Sequence, residues 1–195
     1  MKLPSLATLR KYHRIAGVGE IARRYFALNA FDGVMTIMGV LMGSYLGGVR
    51  DATAVIIVGF SATLALGLSG FYSAYMTERA ERRRSLAELE EYTLGSLKDT
   101  EINRAASYAT ITVALVNGAA PFPAALLAVS PFLLNGLIGI EIAFYAGFAV
   151  AFAELFALGM FLGSVSRERM YVSGAKMITA GIILLAVGYV MNSLK

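Results

Sequence analysis

At 195 residues, with 57% hydrophobic and only 15% charged side chains, the chain is too apolar for a soluble domain of its size. A water-soluble fold would have to hide several runs of about 20 apolar residues in one small core, which surface-to-volume scaling forbids. The net charge of +4 comes from Lys and Arg at the ends of those runs, a topology signal and not a nucleic-acid face. There is no cysteine, and the one histidine is His13, so disulfides, thiolate metal sites and histidine-ligated haem are excluded. The expectation is an all-α integral membrane protein.

Residues 1–24 carry no apolar core followed by a small-residue cleavage site, so they do not read as a secretory signal. Leu6, Leu9, His13 and Ala16 share a helical face beside Arg10, Lys11 and Arg14. A short helix in the cytoplasmic interface and a loosely ordered basic tail both fit this pattern.

Residues 25–48, YFALNAFDGVMTIMGVLMGSYLGG, are long enough to cross a bilayer. Asn29, Asp32, Thr36, Gly39 and Gly43 recur every three or four residues and share a face. A carboxylate in such a run costs about 2.5–3.5 kcal/mol on insertion scales, which makes Asp32 a functional-site candidate. A second run reaches residue 76, with Gly59, Thr63, Gly67 and Gly70 on one face, a spacing that suits close helix packing.

Residues 77–104 carry both charge signs. No breaker occurs before Gly95, so the second helix should continue out of the membrane into the cytoplasm. Glu78, Glu81, Glu88 and Glu91 fall within roughly 140° on it. They fit either a shared cation or a solvated face with i,i+4 pairs such as Glu78 with Arg82. Arg82, Arg83 and Arg84 would anchor its base at the anionic membrane surface.

Residues 105–195 hold the remaining spans. Two helices at about 107–130 and 139–163, then residues 172–194, bring the total to five. Charge placement favours this count: the N-terminal segment and the central segment carry six Lys/Arg each, and Arg167, Arg169 and Lys176 join them on one side. Only Arg50 and Lys195 remain on the other. That places the N-terminus in the cytoplasm and the C-terminus opposite. Asn117, Pro121 and Pro123 mark a broken third span, either a kink or a polar lining.

Glu154 in the fourth span lies about 14 Å from the cytoplasmic end and Asp32 about 11 Å. No Lys or Arg sits at that depth, so each must protonate or meet a cation. Paired carboxylates with the Met35 thioether nearby suit iron(II) or manganese(II) better than calcium. Met38 and Met42 read better as gap fillers or lipid-facing groups. For Glu154, a neutral acid hydrogen-bonded to a carbonyl fits as well as a ligand does.

FDGVMTIMGVLMG, then LGLSGFYSAYMTERAERR, then a Glu-bearing helix and three further spans with a Pro-Phe-rich third resemble the vacuolar iron transporter family. The resemblance covers roughly residues 23–194. It implies a five-span homodimer that exports ferrous and manganous ions from the cytosol by proton exchange. Asp32 followed by Gly33 matches the family's transport aspartate, and its metal-collecting glutamates fall among Glu78, Glu81, Glu88 and Glu91. The usual second-span methionine and glutamate fall at Gly67 and roughly Gly59, so neither is retained, and the insert of 28 residues is short. Glu154 would stand in for the missing carboxylate.

The expected metal ligands are therefore Asp32, Glu154, Met35 and Asn29, with the four glutamates of the polar helix. Asn117, Thr36 and Gly39 would line the path. Expected partners are membrane lipid, a second copy of the chain and the transported ion. No cofactor, nucleic acid or enzymatic activity is expected, since no nucleophile–base pair is visible. The expected host is a prokaryotic plasma membrane. The alternatives are a non-transporting membrane scaffold and a transporter of another cation.

Overall fold

The computed structural model describes residues 6–194, with the side chain of Leu6 left out. The start of the N-terminal segment, the Leu6 side chain and the terminal Lys195 lie outside the described residues. In chain order the helices are α1 (Leu6–Ile15), α2 (Val18–Leu46), α3 (Ala52–Thr93), α4 (Glu101–Ala119), α5 (Pro121–Val129), a 3-10 turn (Ser130–Leu134), α6 (Asn135–Ile138), α7 (Ile140–Ser166) and α8 (Met170–Ser193). No strand occurs among the described residues. Five segments there are long and apolar enough to cross a membrane: α2, α3, the α4–α6 stretch Glu101–Ile138, α7 and α8.

The side chains are distributed as a hydrocarbon solvent requires. Ala105, Ala109, Ala114, Ala124, Ala128, Ala143 and Ala151 are buried, while Leu28, Ile57, Leu64, Leu68, Leu115 and Ile183 are exposed. In water that arrangement would forfeit about 25 cal/mol for each Å² of apolar surface left outside. In lipid there is no such loss, and small residues let helices approach closely.

Two compact units make up the chain: Met1–Phe26 with Leu68–Ala119, and Ala27–Gly67 with Ala120–Lys195. In the first, α1 packs on α4. Lys11 pairs with Glu101, and the Tyr12 and Tyr108 rings lie 6.2 Å apart. Among the described residues, Leu6–Ile15 of the basic N-terminal segment is thus a helix docked on α4. Thr100 opens α4, its Oγ1 accepting the Asn103 N–H at 3.4 Å. Deeper in the unit, Asn117 Nδ2 donates to the Gly70 carbonyl at 2.7 Å, satisfying two buried polar groups at once.

In the second unit, Asp51 caps α3 by accepting the Thr53 N–H at 2.8 Å on Oδ1, as a short acceptor side chain does at a helix start. The α7–α8 hairpin turns at Arg167, which takes φ +60°, and the Glu168 N–H returns to the Gly163 carbonyl at 3.0 Å. Gly159 lies against Ser173 and Gly174, and Gly174 against Phe156. Gly181 fits Leu155 and Phe152, and Gly188 fits Met42, so the seven-residue glycine repeat of the last span is a packing seam. At the far end of the same unit, the Tyr45 and Tyr145 hydroxyls meet at 3.1 Å, and Arg50 lies 3.9 Å from Glu141.

The third span is broken where the prolines predict. The α4 ladder ends at Ala119 and helix resumes at Pro121, where a missing N–H does least harm.

Candidate functional site

The inward face of α2 fixes where Asp32 points. Val34, Ile37, Met38 and Leu41 are fully buried in the second unit's core. Gly33 is pressed so tightly on Pro121 that an added Cβ would lie 2.7 Å from its Cα. At about 100° per residue, the residue before Gly33 turns away from that contact. Asp32 is accordingly exposed on the outer face of the largely apolar run of α2. It makes no hydrogen bond or ion pair among the described residues.

Its helical neighbours form an open strip. Asn29, Thr36 and Gly39 are half-buried and Gly43 is exposed. A Cβ built on Gly39 or Gly43 would meet nothing within 4 Å. A side chain at either glycine is therefore not excluded by the protomer, unlike Gly59 of α3, which Ile37 and Val129 crowd; both border a hollow shared with Leu184 and Val187 of α8. Met35 is half-buried and packs on the apolar cluster. Met38 is fully buried and Met42 fits against Gly188, so both fill gaps in the interior.

Glu154 presents the opposite arrangement. It sits on α7 between Ala151 and Leu155, both fully buried. Both of its carboxyl oxygens are shielded from solvent and have no hydrogen-bond partner. A carboxylate left so would be costly, which favours the neutral acid or a bound cation. Asp32 and Glu154 thus belong to one unit, one on its outer surface and the other with its oxygens enclosed. Among the described residues, no three His, Cys, Asp or Glu side chains gather into a group suited to a metal ion.

The remaining sequence-predicted residues lie in the first unit. Glu78 is buried and already engaged: Arg82 Nε lies 3.2 Å from its Oε2. Glu88 pairs with Arg84 at 3.0 Å. Glu81 and Glu91 are exposed. Asn117 is buried with its amide committed to Gly70. The i,i+4 spacing offered the Glu78–Arg82 pair as part of a solvated face, one of two alternatives; the pair forms, but with Glu78 buried. Nothing in the local pattern marked Glu90, whose Oε1 accepts the Leu97 N–H at 2.6 Å and holds the turn after α3.

Among the described residues these features define an all-helical protein with five segments of membrane-crossing length and apolarity, the makeup of an integral membrane protein. The chain is 33% identical over 172 residues to the uncharacterized protein MJ0645 of Methanocaldococcus jannaschii, covering 87% of each. It belongs to the same family as that archaeal protein. No family model matches the chain, and no solved structure matches it.

Proposed function

We propose that the protein is a homodimeric exporter of divalent metal ions, iron(II) or manganese(II), working by proton exchange. The observation that carries the reading is Asp32, an exposed, unpaired carboxylate on an apolar spanning helix. Left facing lipid it would be costly. Two copies meeting along the open strip of Asn29, Asp32, Thr36, Gly39 and Gly43 would cover it and bring two aspartates to one axis. Small residues at Gly39 and Gly43 permit that approach, and a twofold axis makes the contact self-complementary.

In this reading Asp32 binds the ion and exchanges the proton, with Asn29, Met35 and Glu154 as supporting ligands. Thr36 and Gly39 line the path. Of the four glutamates on α3, the exposed Glu81 and Glu91 are free to collect cations, while Glu78 and Glu88 hold arginines. The excess of Lys and Arg on one side supports a cytoplasmic N-terminus and an opposite C-terminus; the host membrane in this reading is a prokaryotic plasma membrane.

Flux of iron(II) and manganese(II) into proteoliposomes tests this. Wild type should move at least one of them and acidify or alkalinise the lumen in step, and Asp32→Ala should abolish the flux. If wild type moves neither ion, the transporter reading fails. The open glycine strip would then belong to a non-transporting scaffold that uses it for assembly alone. Intact flux in Asp32→Ala would remove the site assignment.

A further inference from the structure

The first unit holds a cavity that the transport reading does not use. It measures about 320 Å³ and is walled by Tyr75, Arg79, Arg82 and Arg83 of α3 and by Asn103 and Ser107 of α4, among others. The arginines fall together because residues 75, 79, 82, 83 and 86 occupy an arc of roughly 100° on a 3.6-residue helix. Glu78 and Glu81 lie outside that arc.

The charge in this cavity is not balanced from within. Arg82 is ion-paired with Glu78, yet its Nε and Nη2 are shielded from solvent and make no hydrogen bond. Arg83 has no hydrogen-bond or ion-pair partner among the described residues. Arg79 reaches only the Tyr75 hydroxyl, at 3.4 Å, and that ring's face, at 5.8 Å. Three arginines thus border one volume: Arg79 and Arg83 are exposed, Arg82 has shielded nitrogens, and Glu78 is already engaged with Arg82. A buried donor left unsatisfied is costly, more so when charged, so Arg82 calls for an acceptor carrying negative charge, which Arg79 and Arg83 at the same rim would reinforce.

Its position narrows the acceptor's chemistry. The apolar run of α3 ends at Met76 and charge begins at Glu78, which puts the cavity at the edge of the spanning segment, where phospholipid phosphates lie. A second, largely apolar hollow of about 170 Å³ shares Arg82, Leu86 and Ala106 with it and is bordered by Ile15, Leu89 and Ile102. A polar arginine pocket joined to an apolar hollow matches a phosphate with a hydrocarbon body attached. Guanidinium forks suit phosphate oxygens in paired hydrogen bonds.

We propose that this pocket binds a phosphate group through Arg79, Arg82, Arg83 and the Ser107 hydroxyl, the group being that of an anionic phospholipid. The test uses the purified full chain, stripped of lipid in detergent and then offered phosphatidylglycerol, phosphatidylcholine or inorganic phosphate. Native mass spectrometry reads retained lipid and thermal unfolding reads stabilisation. Arg83→Gln is the informative variant, since it breaks no contact in the protomer, with Arg83→Lys as the charge-retaining control. The expected result is that wild type retains phosphatidylglycerol over phosphatidylcholine, that Arg83→Gln weakens this roughly tenfold or more, and that Arg83→Lys recovers part of it. Arg83-dependent stabilisation by inorganic phosphate without lipid preference would uphold the phosphate site and make its source a free anion. If neither phosphatidylglycerol nor inorganic phosphate binds in an Arg83-dependent way, the proposal is overturned.

Discussion

Gly33 and Pro121 are in backbone contact: a Cβ on Gly33 would stand 2.7 Å from the Pro121 Cα and 2.8 Å from its Cβ. The start of α5 and the middle of the first span are therefore locked together one residue from Asp32. Gly33→Ala would gain up to about 1 kcal/mol of helix propensity. Neither a ring nor a main chain yields easily, so overpacking wins, with a net loss of about 1–2 kcal/mol. A lowered melting temperature in detergent checks this, and an unchanged one would show that α5 shifts freely.

The glycines of α2 and of the α7–α8 hairpin should separate by assay. Gly159→Ala drives a Cβ to within 2.5 Å of the Ser173 carbonyl oxygen and should destabilise the protomer. At Gly43 an added Cβ meets nothing within 4 Å and the residue borders a hollow shared with Leu184 and Val187, so Gly43→Leu should change the melting temperature little while shifting a dimer towards monomer. Sizing by sedimentation in detergent reads the second effect. A Gly43→Leu protein that stays dimeric would place the interface elsewhere.

Glu154→Gln and Glu154→Leu should fold at least as stably as wild type. Neither carboxyl oxygen has a partner to lose, and replacing an unsatisfied buried acid with an apolar group relieves its desolvation cost. If either variant still folds but loses metal flux, Glu154 acts in transport. A large drop in melting temperature would instead reveal a partner for the carboxyl.

Asn117→Leu leaves the Gly70 carbonyl without the amide that now sits at 2.7 Å. The expected loss is about 1–3 kcal/mol, read as a lower midpoint of thermal unfolding. Recovery in Asn117→Gln would show that the hydrogen bond, and not side-chain volume, is responsible.

The two arginine–glutamate pairs on α3 should behave differently. Glu78→Ala removes the partner of a mostly buried guanidinium and should cost about 3 kcal/mol or more. Glu88→Ala breaks an exposed pair and should cost less than about 1 kcal/mol. Equal effects in thermal unfolding would mean that Arg82 finds another acceptor, as an occupied phosphate pocket would supply.

Much of the architecture was legible without coordinates, because a membrane leaves little choice. Twenty-residue apolar runs must become helices with satisfied backbones, and the prolines at 121 and 123 announce a break that the structure places at Ala120. The chemistry-bearing residues were legible as types: carboxylates at Asp32 and Glu154, arginines at 82, 83 and 84. What each one faces was not. Helical spacing tells which residues share a side of one helix, but whether that side meets a neighbour depends on contacts between segments far apart in the chain. Only the tertiary structure decided that Gly33 is packed while Gly39 and Gly43 are open, and that Glu154 is enclosed while Asp32 is exposed. It likewise decided that Arg82 is half-satisfied by a glutamate one turn away, with the rest of its guanidinium turned into a cavity walled by α4.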